Sequence, residues 1–215
     1  MMDRESAAEN DADGESATHR TNDAEEREAV SSDSEATHRQ SRNKKSGKSK
    51  RGGKTKKSGK GGTPATLVLE QQGYAYAIHT FQHDPAVSNF GMEAADRLDV
   101  DPRRIFKTLI VDTGSGLVAA LVPVSRSLDL RALASALGEK RAEMADVATA
   151  ERVTGYRLGA ISPLGMKQSI SVVIDVSSAD DRFFYISGGR RGFELEIRVQ
   201  AVVDLTNARL APIAR

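Results

Sequence analysis

A mixed α/β (α+β) domain, with helices set around a mixed β-sheet, is the fold class this sequence predicts, and three observations carry it. Two apolar runs, 105–112 and 117–124, flank Thr113-Gly114-Ser115-Gly116, a strong hairpin signal. Helix start and stop residues bracket short periodic segments, as at Thr63-Pro64 to Gly73 and Asp129 to Gly138. Further strand-like runs at 170–176, 183–187 and 193–199 follow the helical ones, so helices and strands intersperse with only one hairpin-length link.

Each element has its own warrant. Thr63 is an N-cap with Pro64 at the first helical position and Gly73 as the stop, which predicts a helix burying Leu67, Val68 and Leu69. Residues 74–81 alternate and predict a strand; 91–98 favour a helix; Asp101-Pro102 opens a turn before the hairpin. Asp129 caps a helix over 130–137, closed by Gly138, and a second is predicted over 147–153 before Gly155. A last short helix follows the three later strands at 201–207. No internal repeat is visible.

Of 215 residues, the first 62 differ in kind from the rest. Residues 1–40 hold 12 acidic and 4 basic side chains; 41–62 hold 10 basic and none acidic. Neither block has an aromatic residue or an apolar period, so a disordered leader is expected, with one domain at 63–215. The net charge of +1 conceals this asymmetry. The basic block is either a solubilising leader or an arm for RNA, whose contribution would fade with salt. Cysteine is absent, which excludes disulfides and thiolate metal sites. The longest apolar runs are too short to cross a bilayer and no secretory signal is visible, so a cytoplasmic location without membrane contact is expected.

Three segments carry candidate chemistry. Lys107 stands in the apolar run Ile105-Phe106-Lys107-Thr108-Leu109, where it either reaches solvent from an edge strand or places its ammonium in a cleft. Gly159-Ala160-Ile161-Ser162-Pro163-Leu164-Gly165 is either a tight connection or a wall of small residues whose N–H groups face a ligand, as in an oxyanion hole. Ser187-Gly188-Gly189-Arg190-Arg191-Gly192 lacks the spacing and lysine of known phosphate fingerprints and reads as a turn or as a phosphate or ribose contact. The four histidines form no ligand set, and neither a metal site nor a Ser-His-Asp order stands out.

Residues 63–215 resemble the YbaK/EbsC family, the bacterial Cys-tRNA(Pro) deacylases. The resemblance rests on Thr63-Pro64-Ala65, Ile78-His79-Thr80, His83-Asp84-Pro85-Ala86, Ser88-Asn89-Phe90-Gly91, Phe106-Lys107-Thr108-Leu109, Glu143-Met144-Ala145-Asp146, Thr154-Gly155-Tyr156, Ile161-Ser162-Pro163-Leu164-Gly165 and Ser187-Gly188-Gly189, in family order and spacing. It implies a twisted, partly barrel-like sheet and kinship with the editing domain of bacterial prolyl-tRNA synthetases. The family's functional lysine falls on Lys107, with the Gly159, Ala160 and Ile161 backbone as the second catalytic element. Substrate-binding positions fall on Phe81, Phe90, Thr108, Ser162, Ser187, Gly188 and Glu194. The chain departs from its relatives in having Phe81 for tyrosine, Ala160 for the second glycine of a pair, and Glu194 for aspartate.

The implied reaction is cleavage of the aminoacyl ester of mischarged Cys-tRNA(Pro), with the substrate's own thiol as nucleophile and no metal or cofactor. Aminoacylated tRNA(Pro) and prolyl-tRNA synthetase are the implied partners. Two alternatives stand beside it: a deacylase for another small aminoacyl group, such as alanine on tRNA(Pro), and a non-catalytic module holding the tRNA acceptor end.

Overall fold

The computed structural model describes residues 62–180 and 182–215; the charged leader lies, but for Gly62, outside the described residues. In chain order the elements are α1 (Pro64–Gln72), β1 (Tyr76–Thr80), α2 (Phe90–Leu98), β2 (Ile105–Asp112), β3 (Leu117–Pro123), α3 (Leu130–Leu137), β4 (Glu143–Met144), α4 (Val147–Thr154), β5 (Ser171–Asp175), β6 (Phe183–Arg190), β7 (Phe193–Arg198), α5 (Val199–Thr206) and β8 (Arg209–Ala211).

The strands form one mixed sheet in the order β1-β7-β6-β2-β3-β5-β8, with β4 also pairing β2. The β2–β3 hairpin pairs antiparallel from Phe106↔Pro123 to Asp112↔Leu117. Parallel contacts of β2 with β6 and of β3 with β5 extend it on either side. β2 is an interior strand by order, but its ladder with β6 ends at Phe106 and that with β4 covers only 111–112, so Lys107 is paired on the β3 side alone, at Val122.

Helix ends follow the capping logic of the sequence. Thr63 Oγ1 accepts from Thr66 N–H at 3.3 Å while Thr66 Oγ1 accepts from Thr63 N–H at 2.9 Å, a reciprocal box that starts α1. Gly73 ends it at φ +73°. The buried face of α1 is Ala65, Thr66 and Leu69, whereas Leu67 is 47% exposed. The three consecutive apolar residues at 67–69 cannot share one face at 3.6 residues per turn, so only Leu69 enters the core as expected.

Alternating residues of the central strands feed two cores. Phe106, Ile110, Leu121 and Ile174 join Phe184, Leu195 and α1 on one side, while Val111, Ala120, Val122 and Val173 pack against Leu133 of α3 on the other. A smaller cluster of Ala94, Ala95, Ile105, Val124 and Tyr185 seats α2. Among the described residues no helix is long and apolar enough to cross a membrane.

Candidate active site

A cavity of about 290 Å³ opens where five segments converge. Ser88, Asn89, Phe90 and Gly91 come from the start of α2, residues 105–109 from the start of β2, and Val124 from just past β3. Leu158, Gly159 and Ile161 come from the loop after α4, and Ser187 and Glu194 from the paired strands β6 and β7. Its volume lies near the lower end of the roughly 300–1,000 Å³ common for ligand sites.

The start of α2 is brought to the cavity by its cap and by a glycine. Asn89 Oδ1 accepts from Met92 N–H at 3.3 Å. A Cβ on Gly91 would stand 2.3 Å from Val124 Cγ1, so only glycine lets the helix dock against the end of β3. Phe90, the first helical residue, then faces the loop after α4, where a Cβ on Gly159 would stand 2.5 Å from Phe90 Cδ2. Gly159 has φ +80°, so it is required for backbone conformation as well as for space.

Lys107 is half-buried, and its Nζ donates to Arg126 O at 2.7 Å. Burial lowers its pKa from the ordinary lysine value. Among the described residues no carboxylate pairs with it, so its charge is met by one carbonyl dipole. Next to it, Thr108 Oγ1 is buried without a hydrogen-bond partner.

Glu194 is the other titratable group of the lining. It pairs in register with Ser187 of β6 and His79 of β1, on the strand next to the sheet edge. Burial raises its pKa to about 8, so at neutral pH its carboxyl is mostly protonated. Glu93 behaves oppositely: burial pushes its pKa up, but the Asp84 N–H at 2.7 Å and His83 Nδ1 at 2.7 Å outweigh this and hold it low. His83 in turn packs beside Phe90, with ring centroids 5.4 Å apart.

The structure therefore brings together Lys107, Phe90, Thr108, Gly159, Ile161, Ser187 and Glu194. Four other sequence-predicted positions do not line the cavity. Ala160 is 3% exposed and its N–H donates to Arg157 O at 2.9 Å, closing a turn, so that amide is not available to a ligand. Ser162 is fully buried and its Oγ accepts from Leu164 N–H. Phe81 packs against the cluster beneath α2, with its N–H donated to Gly192 O. Gly188 lies against Phe193, whose ring a Cβ would meet at 2.3 Å. The sequence reading, for its part, gave no role to Leu158; its apolar side chain next to a glycine carried no signal beyond the run itself.

Gly159 and Ile161 N–H groups donate to no acceptor among the described residues. The cavity thus combines a cation, two unused amides on its wall, an apolar ring and a neutral acid. Among the described residues no histidine lines it.

Known proteins resemble this chain over the same region. The chain is 37% identical over 120 residues to EbsC of Enterococcus faecalis, a candidate Cys-tRNA(Pro)/Cys-tRNA(Cys) deacylase, covering 55% of this chain and 73% of that protein. It is 28% identical over 124 residues to the proline–tRNA ligase of a Thermoanaerobacter species, of which it covers 22%. In fold it matches the crystal structure of a hypothetical protein (TM-score 0.65, 25% identity, 71% of this chain and 100% of that one). It also matches that of a candidate trans-editing enzyme for prolyl-tRNA synthetase (TM-score 0.63, 20% identity, 71% and 95%). The sequence model of the aminoacyl-tRNA editing domain matches residues 84–205, more than half of the chain and every segment that lines the cavity, and the chain belongs to that family.

Proposed function

We propose that this chain is an aminoacyl-tRNA deacylase that removes cysteine wrongly esterified to tRNA(Pro), using the substrate's own thiol as nucleophile. The observation that carries the reading is the pairing, in one cavity, of a lysine that has no anionic partner among the described residues with a carboxyl that is mostly neutral. The lysine suits the anionic end of a tRNA, and the missing ionised base suits chemistry that needs none.

The lining supplies hydroxyls from Ser88, Thr108 and Ser187 but no histidine to activate them. Glu194, mostly protonated at neutral pH, offers little of the carboxylate that would take a proton from water there. The substrate thiol fills the gap. Its sulfur attacks the ester carbonyl carbon, the carbonyl electron pair moves to oxygen, and collapse breaks the bond to the tRNA 3′ oxygen. That oxygen takes up the proton the thiol has lost, giving a cysteine thiolactone and tRNA with a free 3′ hydroxyl.

The protein's share is then placement and charge stabilisation. Lys107 anchors the terminal nucleotide's phosphate, Phe90 bounds the aminoacyl group, and Gly159 and Ile161 N–H groups receive the developing oxyanion. Orientation of this kind can supply roughly 7–11 kcal/mol of barrier reduction. Likeness to segments of proline–tRNA ligases supports tRNA(Pro) as the carrier and prolyl-tRNA synthetase as a partner that delivers it in the cytoplasm.

Purified protein incubated with Cys-tRNA(Pro) tests the reading. Loss of charging with appearance of the thiolactone is expected. Persistence of the charged tRNA would overturn the deacylase, and release of free cysteine with no thiolactone stage would overturn the thiol mechanism.

A further inference from the structure

The turn at 157–160 is closed by Ala160 N–H on Arg157 O at 2.9 Å, and Gly159, its third residue, has φ +80°. Positive φ at that position is the mark of a type II turn. What separates type II from type I is the direction of the central peptide, here Leu158–Gly159. In a short exposed turn little in the backbone itself holds that direction.

One distant side chain holds it instead. Arg191, in the turn between β6 and β7, donates to Leu158 O from Nη2 at 2.9 Å and from Nε at 3.2 Å. Glu151 of α4 accepts from Leu158 N–H at 2.9 Å, which steadies the preceding Arg157–Leu158 peptide and leaves the central one to Arg191. The Arg191 guanidinium also lies over the Phe90 ring, its Cζ 4.6 Å from the centroid, on the ring against which Gly159 packs. A flat, two-pronged cation suits this double contact, which a lysine ammonium could make only in part.

A trans peptide is planar, and its C=O and N–H point in opposite directions. Described residues contain no cis peptide, so fixing Leu158 O fixes the direction of Gly159 N–H. We propose that Arg191 is a positioning residue for deacylation: by gripping the Leu158 carbonyl it keeps the Gly159 N–H turned toward the ester oxygen in the cavity. The proposal rests on the reading of the cavity as a deacylase site. Arg191 touches neither ester nor thiol; its grip also polarises the peptide, which strengthens the N–H as a donor.

Arg191→Met keeps an apolar stem beside Phe90 and removes the donors; Arg191→Lys restores one. In Arg191→Met the kcat on Cys-tRNA(Pro) should fall about 10- to 100-fold, short of or reaching the roughly 10²–10³ seen when an oxyanion donor is deleted outright. KM should change by less than about 2-fold, because ground-state binding is untouched. Arg191→Lys should recover part of the kcat. Independently of any substrate, the ¹H–¹⁵N resonance of Gly159 should move and its hydrogen exchange quicken in Arg191→Met, with Arg191→Lys in between.

A raised KM with unchanged kcat and an unmoved Gly159 resonance would overturn the proposal and make Arg191 a contact to tRNA phosphate. Unchanged kinetics in Arg191→Met would overturn it as well. If the unaltered protein fails to deacylate, the functional reading falls, while a moved Gly159 resonance leaves the grip of Arg191 on the peptide standing. An active unaltered protein with an unmoved resonance sinks the grip alone.

Discussion

Gly159 and Phe90 are in a contact that leaves no room for any other residue at 159: a Cβ there would stand 2.5 Å from Phe90 Cδ2 and 2.6 Å from Cε2. Gly159→Ala should therefore destabilise by roughly 2–4 kcal/mol, combining left-handed strain with displacement of the ring. Only the ring's share should be relieved by Phe90→Ala. Urea unfolding of the two single variants and the double variant should show the double less destabilised than the sum of its parts. Strict additivity would mean that the ring does not limit residue 159.

Lys107 couples to function more than to fold. Its half-buried ammonium makes one hydrogen bond, to Arg126 O, and burial of the charge is itself unfavourable. Lys107→Met should lower deacylation by about 100-fold or more while changing stability by less than about 1 kcal/mol. Thermal melts beside single-turnover assays check both halves. Full activity in a folded variant removes Lys107 from the site.

Glu194 makes stability and activity depend on pH in a defined direction. Its folded pKa of about 8 lies above the ordinary carboxyl value, so between the two the folded chain holds a proton that the unfolded chain has released. Stability from this group is full below about pH 4 and falls by at most about 1.4 kcal/mol per pH unit until about pH 8. Glu194→Gln, which mimics the neutral acid, lacks that loss. Its stability advantage over the unaltered protein should grow from pH 5 to pH 8 and then level off. Activity of the unaltered protein should also drop above about pH 8 relative to Glu194→Gln, as the ionised carboxylate opposes the developing oxyanion. Parallel pH profiles for the two proteins would contradict both statements.

Ala160 separates what a sequence shows from what a fold decides. A run of small residues at 159–161 reads as one continuous wall, but adjacent amides point different ways. Ala160 spends its N–H on Arg157 O and lies buried, while Gly159 and Ile161 line the cavity. Ala160→Val should accordingly lose about 1–3 kcal/mol by overpacking and keep its kcat below the melting temperature. A folded but inactive variant would restore Ala160 to the wall.

Elsewhere the sequence was legible where local chemistry decides. Thr63 and Gly73 bound α1, Asp129 and Gly138 bound α3, and Thr113 to Gly116 joins β2 to β3, as capping and turn rules require. β4 and β8 were not legible, because two or three residues carry no period. Nor was the exposure of Leu67, which depends on the angle at which α1 meets the sheet. Lys107, Phe90, Thr108, Ser187 and Glu194 were placed in the site through a family resemblance, and the fold does bring them into one cavity. Arg191 on Leu158 O joins residues 33 apart, a contact set by the turn geometry of two separate segments.

The central claim is that the substrate's thiol performs the attack in a cavity that lacks a working base. Deacylation rates of Cys-tRNA(Pro) and Ser-tRNA(Pro), measured side by side at pH 7 under single-turnover conditions, test it most directly. The two substrates differ by one atom, sulfur for oxygen, and fit the same space. The account predicts cysteine removed at least about 100-fold faster, since a hydroxyl without a general base is a far weaker nucleophile than a thiol. Equal rates for the two would contradict it.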